Sequence, residues 1–251
     1  MHHFVAVIHK IASADRSGYD GRREPRRQVG NGQVDNVDIW PMGRIRDLSE
    51  RTQRLADDLA QHLRTRVLNG ELQPESTISE SAIATEYGVA RPTARTALEL
   101  LVTDGLMSRK SHLPARVASI GLTDMAEVVA LLEFAEDRSL NQIVDGRYDL
   151  RVLQAALDDT TPRLLDEMVG LVGSPRLRAL HRRSTFEFLL GLEQHGIATA
   201  TESGDIRRAK HWTLVEALFA QRHDDARHAL DALQQTRAGL LVLARVAASS
   251  D

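Results

Sequence analysis

The chain has 251 residues, 42% of them hydrophobic and 4% aromatic, with a formal net charge of −3 at pH 7. That length accommodates two domains with real cores, and the absence of cysteine excludes disulfides and thiolate metal sites and points to a reducing compartment. No run of about twenty apolar residues is present, so no membrane partner is expected. The polar-edged start at Met1–Lys10 does not read as a secretory signal, and a cytoplasmic place is expected.

The Ala-, Leu- and Arg-rich balance predicts a mainly α fold. Residues 1–46 stand apart. Gly, Asn, Asp and Arg dominate from Arg16 to Asp38 with no sustained helical or strand period, which predicts a disordered extension. It reads either as a basic arm adding non-specific DNA affinity or as a passenger segment preceding a natural start at Met42. The passenger reading is favoured because an arm of mixed charge adds little.

The first helix is expected from Asp47, where Asp47 and Glu50 have capping-box spacing. Leu55, Leu59, Leu63 and Val67 then repeat every four residues, and Gly70 closes the segment. A second helix begins after Ser79, a good N-cap, and stops at Gly88, which tolerates the left-handed conformation that ends helices.

A third helix runs from Arg91-Pro92 to Asp104-Gly105, with Ala94, Ala97, Leu98 and Leu101 as its apolar side. Arg91 and Arg95 are four apart and share an exposed face, while Thr93 and Thr96 are small enough for close entry into a major groove. Arginine there can hold guanine or phosphate with two hydrogen bonds. Leu106–Ser108 and Ala115–Ala118 then read as two strands around a hairpin tip bearing Arg109, Lys110 and His112, suited to the phosphate backbone.

The whole chain is acidic, yet Ala90–Ala118 carries Arg91, Arg95, Arg109, Lys110 and Arg116 against Glu99 and Asp104, a local balance of +3. Phosphate binding follows the local field, which salt screens within about 10 Å.

The motifs Gly70-Glu71-Leu72-Gln73-Pro74, Ile78-Ser79-Glu80, Gly88-Val89-Ala90-Arg91, Arg95-Thr96-Ala97-Leu98 and Asp104-Gly105-Leu106 occur in the order found in the GntR superfamily of bacterial transcription regulators. Roughly residues 50–118 resemble its winged helix-turn-helix, and that domain is expected over 47–118. The resemblance implies that Arg91 and Arg95 contact operator DNA, with the wing in or near the minor groove. Ser81 stands where members carry a basic residue, and Ser111 and His112 stand where they carry a wing-tip glycine. The expected DNA-contacting set is Ser81, Arg91, Thr93, Arg95, Thr96, Arg109, Lys110 and His112.

Residues 122–248 read as all helix, with segments near 123–145, 149–158, 162–172, 175–195, 205–222 and 224–247 separated by Gly146, Pro162, Gly173-Ser174-Pro175, Gly196 and a loop over 197–204. This half resembles the helical effector-binding and dimerisation domain, FCD, of the FadR branch of the superfamily. The matching features are the opening helix Asp124–Glu133, the turn Gly173-Ser174-Pro175-Arg176-Leu177, and His211 with Glu216-Ala217.

Many such domains hold a divalent metal through four residues, and the resemblance places those positions on Thr161, Leu165, His211 and Leu233. Three of the four are unsuited to ligation, so no metal and no cofactor is expected. An effector would then be held by apolar walls such as Leu132, Phe134, Phe186, Phe188, Leu189, Trp212, Val215 and Phe219, although any one of these reads more simply as core. The candidate effector contacts are His211, His181, Trp212 and Leu165, and a fatty acyl or other organic acid fits such a lining.

Phosphate loops, nucleophile elbows and His-Glu-x-x-His are all absent, so no enzyme is expected. The reading is a homodimeric, ligand-responsive repressor on a pseudo-palindromic double-stranded operator. The alternative is a small-molecule or metal sensor with weak or lost operator binding.

Overall fold

A computed structural model describes residues 42–110, 113–157, 164–197 and 204–249. The first unit opens with α1 (Met42–Leu68), followed by β1 (Thr77–Ile78), α2 (Glu80–Tyr87), α3 (Arg91–Thr103), β2 (Met107–Ser108) and β3 (Ala115–Val117).

Helix α1 begins five residues before the expected Asp47 start, so Asp47 and Glu50 lie inside the helix and not at its N-terminus, and residues 42–46 leave the expected extension. Pro41 lies just upstream of the start, and between it and Asp47 only Gly43 disfavours helix, by about 1 kcal/mol. The rest of that extension lies outside the described residues.

Leu59, Ala60, Leu63 and Val67 of α1 are buried against Ile83, Tyr87, Ala94, Ala97, Leu98 and Leu101 of α2 and α3. The four-residue repeat thus buries one face of α1 and braces the other two helices. Ser79 caps α2 by accepting from the Ala82 amide at 3.1 Å, and Gly88 closes it at φ 66°.

The expected hairpin forms, with Met107 opposite Val117 and Ser108 opposite Arg116. A third strand was not expected. Thr77 and Ile78 pair with Arg116 and Ala115, giving the order β1-β3-β2. Two paired residues are too short to show any alternation in sequence.

The second unit contains α4 (Leu122–Asp145), α5 (Arg151–Leu157), α6 (Leu164–Leu171), α7 (Pro175–Gln194), α8 (Gly204–Phe219) and α9 (His223–Ala248). Their limits fall within two residues of the expected segments at most ends, because glycine and proline punctuate the chain there. Pro162 and the loop over 198–203 lie outside the described residues.

Two apolar clusters fill this unit. One joins Leu140, Ile143, Leu153, Met168, Leu214 and Leu230, and the other joins Met125, Val128, Leu132, Phe188, Leu192 and Leu241. Along α4 the two are separated by buried Glu136 and Ser139, and Glu136 meets buried His181 on α7.

Helix α7 also carries the first unit. Leu190 enters the core of α1–α3, and Phe186 packs against it. The connection between the units is pinned to the end of α7, where Gln194 donates to Ala118 O at 2.7 Å and accepts from the Ile120 amide at 2.9 Å.

Candidate nucleic-acid interface

The interface is built on α3. Its buried residues Thr93, Ala94, Ala97, Leu98 and Leu101 set the inward stripe, leaving Arg91, Arg95 and Glu99 outside. Thr93 is a correction. It is only 3% exposed and belongs to the packed face, because it lies one turn before Ala97 on the stripe that meets α1 and α2. Thr96 is half-buried, and its hydroxyl donates back to Pro92 O at 3.1 Å.

Arg91 is exposed and, among the described residues, carries no acidic partner. Arg95 is exposed and pairs with Glu99 at 3.0 Å, with Glu80 at 3.9 Å. The hydrogen bond to Glu99 raises the Arg95 pKa, so the guanidinium stays charged.

Glu80, at the first turn of α2, also accepts from Arg109 Nη2 at 2.6 Å. One carboxylate therefore gathers an arginine from α3 and one from the wing. Arg109 Nε adds a bond to Leu113 O at 3.3 Å, while Lys110 and Ser81 are exposed. His112 and Ser111 lie outside the described residues.

The local charge is distributed differently from the linear count. Asp104 leaves the surface and is buried, whereas Glu75 and Glu80 join it, Glu75 pairing with Arg116 at 2.7 Å. The face thus presents its cations largely compensated by exposed or half-exposed carboxylates. Exposed pairs of this kind are worth about 0–1 kcal/mol, so phosphate can displace them at small cost. Linear spacing shows Arg95 and Glu99 at i and i+4, but the Glu75 and Glu80 contacts depend on the sheet and on the α2–α3 turn.

The effector candidates occupy different settings. His181 is buried, with Nε2 3.1 Å from Glu136 Oε1 and Nδ1 3.7 Å from Asp166 Oδ1. Burial opposes its charge, but Asp166 and Glu136 outweigh that and hold the imidazole above its ordinary pKa. Glu136 is lowered despite complete burial, through His181 and through Arg237, which donates to both its oxygens at 2.5 and 3.2 Å. Asp166 is likewise lowered against its burial by His181 and Arg178.

Leu165 packs half-buried on the cluster around Met168, and His211 is half-buried on α8. Trp212 is 49% exposed, and Phe134 and Phe219 are exposed as well, so these rings do not wall an interior cavity. Phe186 faces the first unit, where Arg64 and Arg182 lie over its ring at 5.7 and 5.4 Å. Helical spacing marks apolar residues without telling which of them face inward.

The four positions that the family resemblance assigns to a metal do not fit one. Leu165 and Leu233 lend only alkyl groups and are packed in an apolar cluster. Thr161 is outside the described residues. Among the described residues no group of three or more His, Asp or Glu is placed to hold a metal ion.

Residues 55–117 match the family model described as bacterial regulatory proteins, gntR family. The chain is 29% identical over 126 residues to the HTH-type transcriptional repressor NagR of Bacillus subtilis (strain 168), covering 49% of this chain and 48% of that protein. It is 26% identical over 100 residues to the uncharacterized HTH-type transcriptional regulator YdhC of the same organism, covering 39% of this chain and 45% of that protein. The chain thus spans about half the length of the curated relatives it matches.

Among solved structures, a GntR regulator from Rhodococcus sp. RHA1 superposes with a TM-score of 0.57 at 21% identity, over 76% of this chain and 98% of that one. E. coli McbR/YncC gives 0.58 at 18% identity, over 75% and 97%. At these identities the likeness is one of fold, a winged helix-turn-helix joined to a helical unit. The matched segment contains the capped α2, the arginine face of α3 and the strands of the wing, and it is over residues 55–117 that the chain is similar to the gntR family of bacterial regulatory proteins.

Proposed function

We propose that the protein is a DNA-binding transcriptional regulator, acting as a ligand-responsive repressor. Two copies bind a pseudo-palindromic operator, each placing Arg91 and Arg95 in a major groove with Arg109 and Lys110 of the wing against the backbone. A small-molecule effector in the helical unit releases them. The observation that carries this reading is the exposed Arg91/Arg95 face on a helix-turn-helix within the family-matched segment. The repressor sense leans on the similarity to NagR.

Control by a ligand is supported by the way α7 holds the end of α3 through Arg182 and Asp104. A shift of α7 would reach the reading helix directly, and allosteric couplings of this kind are typically about 1–3 kcal/mol. The interior position of His181 and the inward packing of Leu165 favour an effector with a small polar head over one walled by Trp212. A cytoplasmic place at the nucleoid follows from the same reading. None of the described helices is long and apolar enough to cross a membrane.

The test is a fluorescence-anisotropy titration at physiological salt against DNA upstream of the protein's own gene, with random DNA as control. Selective binding supports the regulator; equal binding to both overturns it. The second reading, a sensor with weak or lost operator binding, is favoured by the compensation of Arg95, Arg109 and Arg116 by carboxylates. Ligand-dependent stabilisation without selective DNA binding would establish it.

A further inference from the structure

The outer face of α4 carries a seam that the rest of the described chain leaves uncovered. Glu127, Leu131, Phe134, Arg138 and Asn141 are spaced alternately by four and three residues, and all five are exposed. Leu131 is 41% and Phe134 60% exposed, whereas Met125, Val128, Val129 and Leu132 on the other side of the helix are core. A four-three alternation of this kind is the spacing with which one helix packs along another. Phe134, Arg138 and Asn141 also line a surface groove.

The seam is self-complementary when two copies run antiparallel. With a two-fold axis crossing α4 between Leu132 and Glu133, Leu131 meets the partner subunit's Phe134, and Glu127 meets the partner subunit's Arg138. Asp124 and Thr123 then meet Asn141 and Gln142 of the partner subunit. A parallel pairing would instead set Glu127 against Glu127 and Arg138 against Arg138, and like charges facing each other are penalised. Neither Glu127 nor Arg138 has an ion-pair partner among the described residues of its own chain.

We propose that α4 is the dimerisation helix, pairing antiparallel with its copy about Leu131 and Phe134 and locked in register by two Glu127–Arg138 ion pairs. The inference rests on the dimeric reading above and names the surface that makes the dimer. An isologous contact needs one self-complementary patch, and this patch supplies both the apolar centre and the charged edge.

The test uses the full chain and sedimentation equilibrium. The wild type is expected to be a dimer at micromolar concentration. Phe134→Glu should be monomeric there with an unchanged circular dichroism spectrum, since the ring is exposed in the single chain. Glu127→Arg and Arg138→Glu should each raise the dimer dissociation constant about tenfold or more. Mixing the two single variants should restore association as a heterodimer, because the four charges then pair with opposite signs.

A monomeric wild type overturns the proposal. So does a dimer that survives Phe134→Glu, or one broken instead by Val246→Glu on the exposed apolar end of α9. Operator binding separates the two readings: a selective binder that dimerises elsewhere sinks only the α4 assignment, and an α4 dimer without selective binding sinks only the regulator.

Discussion

Arg182, on α7 of the helical unit, donates through Nε to Asp104 Oδ1 at 2.9 Å, and Asp104 is the C-cap of α3. The same carboxylate accepts from buried Arg64 of α1 at 2.6 Å. A single acid therefore ties the end of the reading helix both to its own unit and to the helix that carries the other. Removing one member of a buried pair strands its partner, so Asp104→Ala is expected to lower unfolding free energy by roughly 3–5 kcal/mol. Arg182 is half-exposed, and Arg182→Ala should cost about 1 kcal/mol or less. Urea denaturation of both variants checks the order; equal losses would mean that Arg64 does not depend on Asp104.

Arg95 is held by Glu99 on its own helix. Glu99→Gln removes an acid from the DNA-facing side and frees the guanidinium, so affinity for duplex DNA is expected to rise severalfold. Arg95→Ala should weaken operator binding by about 1–3 kcal/mol. Anisotropy titrations over a salt series decide the matter, with the salt slope reduced by about one for Arg95→Ala if the contact is to phosphate. A weaker Glu99→Gln complex would show that Glu99 positions Arg95 instead of competing for it.

The capped α2, the stripe of α3 and the wing hairpin were legible in sequence because each rests on local signals: Ser79, Gly88, Pro92 and the repeated apolar positions. The same local reading put Thr93 on the wrong face, since small hydroxyl residues look alike whether they sit in a groove or in a core. Asp104 reads as surface charge in the linear chain and becomes the junction of the units only because α7 arrives beside it. Glu75 and Glu80 were invisible for the same reason, since their partners are 41 and 29 residues away. In the helical unit the period located the helices, but which aromatic rings faced out depended on packing that no period encodes.

Gly105 follows the C-cap of α3 at φ 77°, and a Cβ placed there would lie 2.5 Å from Glu187 Oε1. Left-handed backbone already penalises alanine, and the close approach of α7 adds a steric term. Gly105→Ala is expected to destabilise the protein by more than about 1 kcal/mol and to loosen the contact between the units. Hydrogen exchange at residues 101–108 and 182–190 would show it as faster exchange in both segments. A change confined to the first would mean that Glu187 simply swings away.

The buried layer around His181 makes stability depend on pH with a definite sign. Its folded pKa is raised above the ordinary 6.5, so its contribution is fully present below pH 6.5 and is lost as pH rises through the folded value. Glu136 and Asp166 are lowered from 4.5 and 3.8, so theirs is present above those values and is lost as pH falls through their folded ones. His62, lowered by burial and by Arg66, acts in the opposite sense to His181, which makes the difference between wild type and His181→Gln the proper readout. Urea midpoints measured from pH 5.5 to 9 should show the wild type's advantage over His181→Gln shrinking as pH rises above 6.5. Parallel curves would mean that folding leaves the His181 pKa where it is in the unfolded chain, and an advantage that instead grows as pH rises through 6.5 would mean that His181 is neutral in the folded protein.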